Sequence, residues 1–371
     1  MELWLFRPSG LSDGRSCFLG GRRVRAELRV AVLGATGYAG VEAVRLLLEH
    51  PNARPVYLAS HSHVGQRFAA VYPHLAPFTD AVLGPMDADR VGDVDIALVS
   101  LPSRESLTLV PELVARGMRV VDFSADFRLR SAAEYRTFYG IEHTQSALLE
   151  QAVYGLPEMR RNEIRNAVLV ANPGCYPTAA ILALGPALSA GLVLPTDIIV
   201  DAYSGVSGAG REPSRTTHLA EMDGSLVPYS VAGAHRHTPE IAQELSRAAA
   251  HPVTLTFSPH LAPQARGILT TCYARLARSV SQADVEEVYR QAYHQEPFVW
   301  LVVDGLPNTK AVAGTNMAQI AVRVDRSAER LVAMAAIDNL GKGASGQAVQ
   351  NMNLMLGINE TAGLPRIAMW P

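Results

Sequence analysis

A chain of 371 residues, 48% hydrophobic and 18% charged, carries more apolar surface than one core usually buries and divides into two domains. Its net charge of −2, without a long run of one sign, argues against nucleic acid or an anionic membrane as partner. Cys17, Cys175 and Cys272 stand far apart with no Cys-x-x-Cys pair, which excludes a disulfide framework and fits a reducing, cytoplasmic compartment.

Residues 1–28 read as a disordered extension. Glu2 and Arg7 break its apolar start, against a secretory signal, and Glu2, Asp13 and Glu27 spoil the acid-poor pattern of a transit peptide. Residues 28–33 form a β-branched apolar run followed at once by glycine. Residues 38–49 then carry Val41, Val44, Leu47 and Leu48 at helical spacing, and Pro51 ends that helix. A strand at 54–59 completes a βαβ unit. Further strands are expected at 94–101, 118–123 and 168–171, with a helix bearing Leu107, Val110, Leu113 and Val114 capped by Ser103. This alternation predicts a doubly wound, Rossmann-type α/β domain over residues 29–174.

After Cys175 the rhythm changes. Residues 179–194 are apolar but interrupted by Gly185, Pro186, Ser189 and Gly191, too short to span a bilayer, and read as a buried helix. Strand patterns recur at 197–203, 253–257, 268–276, 318–324 and 331–337, with an amphipathic helix at 284–293 capped by Ser281. They predict an α+β domain with a largely antiparallel sheet over 175–339. A last helix near 345–356, in the segment 340–371, is expected to pack back on the first domain.

Gly34-Ala35-Thr36-Gly37-Tyr38-Ala39-Gly40 lies between a strand and a helix. Glycines there permit a tight turn and let a pyrophosphate approach the N–H groups of the helix start. A site for NAD usually has a carboxylate about 20 residues further on, gripping the ribose 2′-hydroxyl. Here the second strand ends in Ser60-His61-Ser62-His63, with hydroxyl and imidazole donors and no carboxylate, so NADP is favoured. The same histidines as a metal pair lack a third ligand nearby.

Asn172-Pro173-Gly174-Cys175-Tyr176-Pro177-Thr178 joins a buried strand to the apolar helix at 178–188. A cysteine at such a turn meets the positive end of the helix, which lowers its pKa and suits it as a nucleophile. Cys272, inside a strand pattern, reads as an inert core residue.

These two motifs, with Ser124-Ala125-Asp126-Phe127-Arg128, the run from Ser204 to Arg211, and His235-Arg236-His237-Thr238-Pro239-Glu240, together resemble the N-acetyl-gamma-glutamyl-phosphate reductases, from about residue 29 to the C-terminus. The resemblance implies NADPH-dependent reduction of an acyl phosphate to an aldehyde through a thioester on Cys175, a step of arginine biosynthesis, in a homodimer or homotetramer. It implies that Asn339 lies near the nicotinamide. Ser207 and Gly208 offer the small residues a nicotinamide or phosphate requires, and Arg211 reads as a clamp on the leaving phosphate. Arg128 either meets a substrate carboxylate or pairs with Asp126 to hold its loop.

Two histidines compete as acid and base. In an extended segment His235 and His237 point the same way. Thr238 reads as a helix cap, which leaves His237 to structure or to substrate phosphate. His235 is freer to reach the thiol, and the resemblance also favours it. Rival readings are a reductase of carrier-bound aminoadipyl phosphate in lysine biosynthesis, a Cys–His hydrolase or acyltransferase without redox chemistry, and a non-catalytic NADP sensor.

Overall fold

The β-branched run at the start of the first domain is buried because helices cover both faces of the sheet it enters. The computed structural model describes residues 27–212 and 214–370, preceded by two short antiparallel strands, Cys17–Leu19 and Arg22–Val24. Most of the extension expected over 1–28, and the Cys17 side chain, lie outside the described residues.

The first sheet has six strands, β1 (Leu28–Leu33), β2 (Ala53–Ala59), β3 (Ile96–Val99), β4 (Arg119–Asp122), β5 (Val153–Tyr154) and β6 (Leu169–Ala171). All pairs are parallel, in the order β2-β1-β3-β4-β6-β5. The helices α1 (Tyr38–Leu48), α2 (Ser106–Ala115) and α3 (Pro157–Asn166) belong to this domain. Period-two alternation divides its core: Val30 and Val32 join one cluster with α1, Ala31 and Leu33 another with α2. Pro55, on the edge strand β2, lies where the β1–β2 register slips between Val30 and Ala31, as a residue without an N–H requires. The chain leaves β1 for β2 on one side and returns to β3 on the other. The cleft at the carboxyl ends of β1 and β3 is thus a topological switch point.

The second domain begins with α4 (Cys175–Ser189), which is apolar all round and buried all round. Its sheet has seven strands: β7 (Ile198–Gly205), β8 (Val227–Pro228), β9 (Leu255–Ala262), β10 (Ile268–Arg275), β11 (Val299–Leu301), β12 (Ala318–Asp325) and β13 (Arg330–Ile337). The order is β8-β9-β7-β10-β13-β12-β11, antiparallel except for β9 on β7 and β11 on β12. The helices α5 (Thr238–Ala249) and α6 (Gln282–Tyr293) share this domain's core with α4, through Ile241, Leu245, Val285 and Tyr289. Ser281 caps α6 in a capping box with Asp284, as expected. The last helix, α7 (Gly346–Leu356), buries Ala348, Val349, Met352 and Met355 in the core of the first domain.

The segment 132–166 carried no assignment from the sequence, yet it forms helices Ala132–Tyr139, Ser146–Gln151 and α3. Of α3 only Pro157, Arg160 and Ile164 are buried, so no apolar stripe announces it. Ser103 does not cap α2, which starts at Ser106 behind an uncapped Glu105. Among the described residues no helix is long and apolar enough to cross a membrane.

Candidate active site

Glycine sits in the turn after β1 where nothing larger fits. Gly34 has φ +84, and a Cβ there would lie 2.1 Å from the Ser100 carbonyl oxygen after β3. A Cβ on Gly40 would lie 2.1 Å from the Gly34 carbonyl oxygen, so the first turn of α1 rests directly on the loop. Gly37 precedes α1 with no side-chain cap and no acidic residue in the first turn. The first N–H groups and the positive end of the helix are left for an anion. Gly37, Tyr38 and Ala39 line one cleft together with Cys175, Ser207, Gly208 and Asn339.

Ser60 is buried and its hydroxyl meets that of Thr36 at 2.8 Å, which secures the turn. Ser62 and His63 line the outer part of the cleft, and His63 Nδ1 is buried without a partner. These residues fit a dinucleotide: an uncapped helix start, a glycine cradle and an orphaned polar atom face one cavity. His61 is drawn away to Glu105, 2.6 Å from its Nε2, a carboxylate that the local sequence of β2 did not reveal.

Cys175 is the first residue of α4, three residues nearer the helix start than expected, with Gly174 as its cap residue. The N–H groups of Tyr176 and Cys175 both aim at the thiol. Burial nevertheless pushes the thiol up to about 11, and those N–H groups with Arg128 offset only part of that rise. The expected lowering by the helix is thus present but outweighed, and the direction favours the protonated thiol near neutral pH. Alkylation of Cys175 by iodoacetamide should then climb about tenfold per pH unit past pH 9. A plateau between pH 7 and 8 would show that the helix end dominates after all. Cys272 is fully buried in β10, its thiol also raised by desolvation.

Glu240, in the first turn of α5, is a residue that sequence reasoning left without a role. Its buried carboxylate accepts from the Gly174 N–H at 2.8 Å, the Tyr154 hydroxyl at 2.8 Å and Arg128 Nη1 at 3.2 Å. Arg128 also donates to the carbonyls of Asn172 and Phe123, at 2.8 and 2.6 Å. It pairs with Glu240 of the second domain rather than with Asp126, whose carboxylate holds the Arg104 N–H and the Tyr135 hydroxyl. The pair ties β6, the Cys175 turn and α5 together.

The histidines part company because residues 231–237 turn instead of running extended. His237 lines the cleft with Cys175. A Cβ on Gly174 would lie 2.6 Å from His237 Nε2, so glycine is what lets the ring lie against the Cys175 turn. Its Nδ1 is buried with no partner. His235 instead sits among Tyr176, Tyr229 and Phe257, with ring centroids 5.7, 5.3 and 5.2 Å away. Its Nδ1 accepts the His237 N–H at 3.0 Å. Burial, with the nearby Arg236 charge, lowers His235 to about 4 and depresses His237 well below its usual range, so both rings are neutral near pH 7. Thr238 does not cap α5: its hydroxyl is buried without a partner, and His237 occupies the cap position.

The far wall of the cleft hangs on Asp338, fully buried at the end of β13. Its carboxylate accepts from the N–H groups of Gly314, Leu340 and Gly341 and from Arg266 Nε. Asn339 accepts from the Gly267 N–H at 2.7 Å and donates to Ser207 Oγ at 2.9 Å. Arg266 also pairs with Glu42 of α1 at 3.0 Å, which links the asparagine to the helix that starts at the glycine turn. Gly343 belongs to a π-helical turn over Gly341–Ser345, and a Cβ on it would lie 2.9 Å from Cys175 Cβ. Arg211 lines the cleft and donates to the Thr36 carbonyl at 3.0 Å and the Tyr72 hydroxyl at 3.2 Å.

Residues 29–167 match the family model described as "Semialdehyde dehydrogenase, NAD binding domain", and residues 175–339 that described as "Semialdehyde dehydrogenase, dimerisation domain". The N-acetyl-gamma-glutamyl-phosphate reductase of Desulforudis audaxviator is 48% identical over 346 residues, 93% of this chain and 100% of its own. That of Symbiobacterium thermophilum is 47% identical over 338 residues, 91% of this chain and 97% of its own. Among solved structures, aspartate semialdehyde dehydrogenase II from Vibrio cholerae, complexed with ASA, superposes with TM-score 0.68 at 20% identity, covering 89% of this chain and 98% of that one. Aspartate semialdehyde dehydrogenase with NADP from Candida albicans gives TM-score 0.66 at 13% identity, with the same coverage of 89% and 98%. These structures share the fold.

Proposed function

The chain belongs to the N-acetyl-gamma-glutamyl-phosphate reductase family, and from that premise we propose how its own residues reduce N-acetyl-gamma-glutamyl phosphate to N-acetylglutamate semialdehyde in arginine biosynthesis. The observation that carries the reading is one cleft lined by both the α1 glycine turn and Cys175 at the start of α4. A hydrolase or acyltransferase has no use for the first of these.

Cys175 Sγ attacks the acyl carbon as its proton passes to a neutral imidazole, the bond to the phosphate oxygen breaks, and inorganic phosphate leaves a thioester. The glycine turn would hold NADPH, which would supply a hydride to the thioester carbon, and the imidazolium returns its proton to the resulting oxyanion to give the thiohemiacetal. Loss of the hydroxyl proton then breaks the C–S bond, releasing aldehyde and the Cys175 thiolate, which takes its proton back. The imidazole in this scheme is His237. Its cleft position beside Gly174 and its partnerless Nδ1 support that role over His235, which the sequence favoured. Arg211 faces the leaving phosphate, Arg128 and Glu240 hold the nucleophile's turn, and Asn339 and Ser207 border the nicotinamide side.

The preference for NADPH over NADH rests on Ser62 and His63 at the cleft edge, with Glu105, the nearby carboxylate, engaged by His61. The assembly is a homodimer or homotetramer. On the second sheet Ile198, Val200 and Ala202 meet α4, while Ile199, Tyr203, Leu269, Tyr273 and Met334 remain half-buried on a face suited to a second copy. We assign the chain to the cytoplasm, in keeping with free thiols at Cys175 and Cys272.

Following NADPH absorbance with N-acetyl-glutamyl, aspartyl and carrier-bound aminoadipyl phosphates tests the reading. The first should give by far the highest kcat/KM, and NADPH should exceed NADH by about tenfold or more. Faster turnover of the aminoadipyl substrate would move the enzyme to lysine biosynthesis. A preference for NADH would refute the argument from Ser62 and His63.

A further inference from the structure

The three guanidinium groups on the cleft wall are not equivalent. Arg128 spends Nε, Nη1 and Nη2 on two carbonyls and Glu240. Arg211 is bonded to the Thr36 carbonyl and the Tyr72 hydroxyl. Arg236 lines the same cleft beside His237 and Ser124, but among the described residues no hydrogen bond or ion pair engages it. Its guanidinium carbon lies 5.6 Å from the centroid of the Tyr139 ring, which holds the planar group without using its N–H donors. Of the side chains lining that cavity, about 770 Å³ in volume, only Glu212 is acidic, so an unpaired cation faces space for a small anionic ligand.

The substrate brings two anionic ends. Its acyl phosphate must lie at Cys175, and its α-carboxylate is separated from the reacting carbon by one methine and two methylenes. Arg128 has three of its five N–H donors committed and its side chain is largely buried, so it is the less available partner for a bidentate carboxylate. We propose that Arg236 binds the α-carboxylate and determines specificity at that end, leaving the phosphate to Arg211. The assignment rests on the reductase reading above. The position of Arg236 between the two histidines couples it to the chemistry, because a bound carboxylate neutralises a charge that otherwise helps to keep both rings unprotonated.

The reaction run backwards separates the two anions, since semialdehyde and inorganic phosphate are then varied independently with NADP. Arg236→Gln, at an exposed position that should fold normally, is expected to raise KM for the semialdehyde about 10- to 100-fold and leave KM for phosphate within about twofold. Wild type should discriminate against the α-carboxamide of the semialdehyde by a similar factor, and Arg236→Gln should have lost that discrimination. A raised KM for phosphate, or a full preference for carboxylate retained in Arg236→Gln, would overturn the assignment. NADPH formation by wild type, measured alongside, tests the reductase reading itself. Its absence would remove that reading and the Arg236 assignment together.

Discussion

Cys175→Ser should keep its fold and its affinity for NADPH yet lose at least about 10⁴-fold in turnover. The argument starts from burial. The thiol is already held protonated by its surroundings, so even sulfur depends on handing its proton to a neighbour during attack. A serine hydroxyl, several pK units more basic, would have to do the same in the same buried pocket with a neutral histidine as acceptor. Nothing in the site compensates: the Tyr176 and Cys175 N–H groups are fixed by the helix start, and Arg128 is committed to Glu240. Cys272→Ser is the matched control. It lies in the second core, far along β10, and should cost stability while leaving kcat unchanged. Substantial turnover by Cys175→Ser, measured by NADPH oxidation in a single turnover, would refute the thioester.

His237→Asn should lower kcat by about 10² to 10⁴-fold with little change in the NADPH dissociation constant. The imidazole is neutral, faces the cleft and has an unsatisfied nitrogen, so it can accept the thiol proton as the acyl carbon is attacked. His235→Asn removes a ring packed among three aromatics and an acceptor for the His237 N–H. It should chiefly lower the melting temperature and cost about tenfold or less in kcat. Rate and cofactor affinity measured on both variants distinguish the roles. If His235→Asn instead loses turnover at unchanged stability, the acid–base role returns to His235.

Those assignments depend on where the sequence is informative. The doubly wound sheet was legible because apolar runs such as Val30–Leu33 are buried on both faces, and a buried parallel strand has no polar alternation to blur it. The glycine turn was legible because Gly34 and Gly40 answer to local sterics, with other backbone 2.1 Å from where a Cβ would stand. Cys175 was legible because a glycine and a helix start flank it in the chain itself. Helix α3 was not, since a helix that buries only Pro157, Arg160 and Ile164 leaves no period to read.

What the sequence by itself determined, then, is everything fixed within a few residues of the chain: the alternating elements, the glycine cradle, the cysteine at its helix start. What only the tertiary structure decided is every choice that depends on a partner distant in the chain. That His237 lines the cleft with Cys175 follows from the turn at 231–237 and from the space that Gly174 leaves, 63 positions before His237. The upward push on the Cys175 thiol comes from desolvation, which no local pattern reports and which outweighs the helix end. The partner of Arg128 is Glu240, 112 residues away and not the neighbouring Asp126, because a buried guanidinium takes whichever carboxylate the fold brings to it.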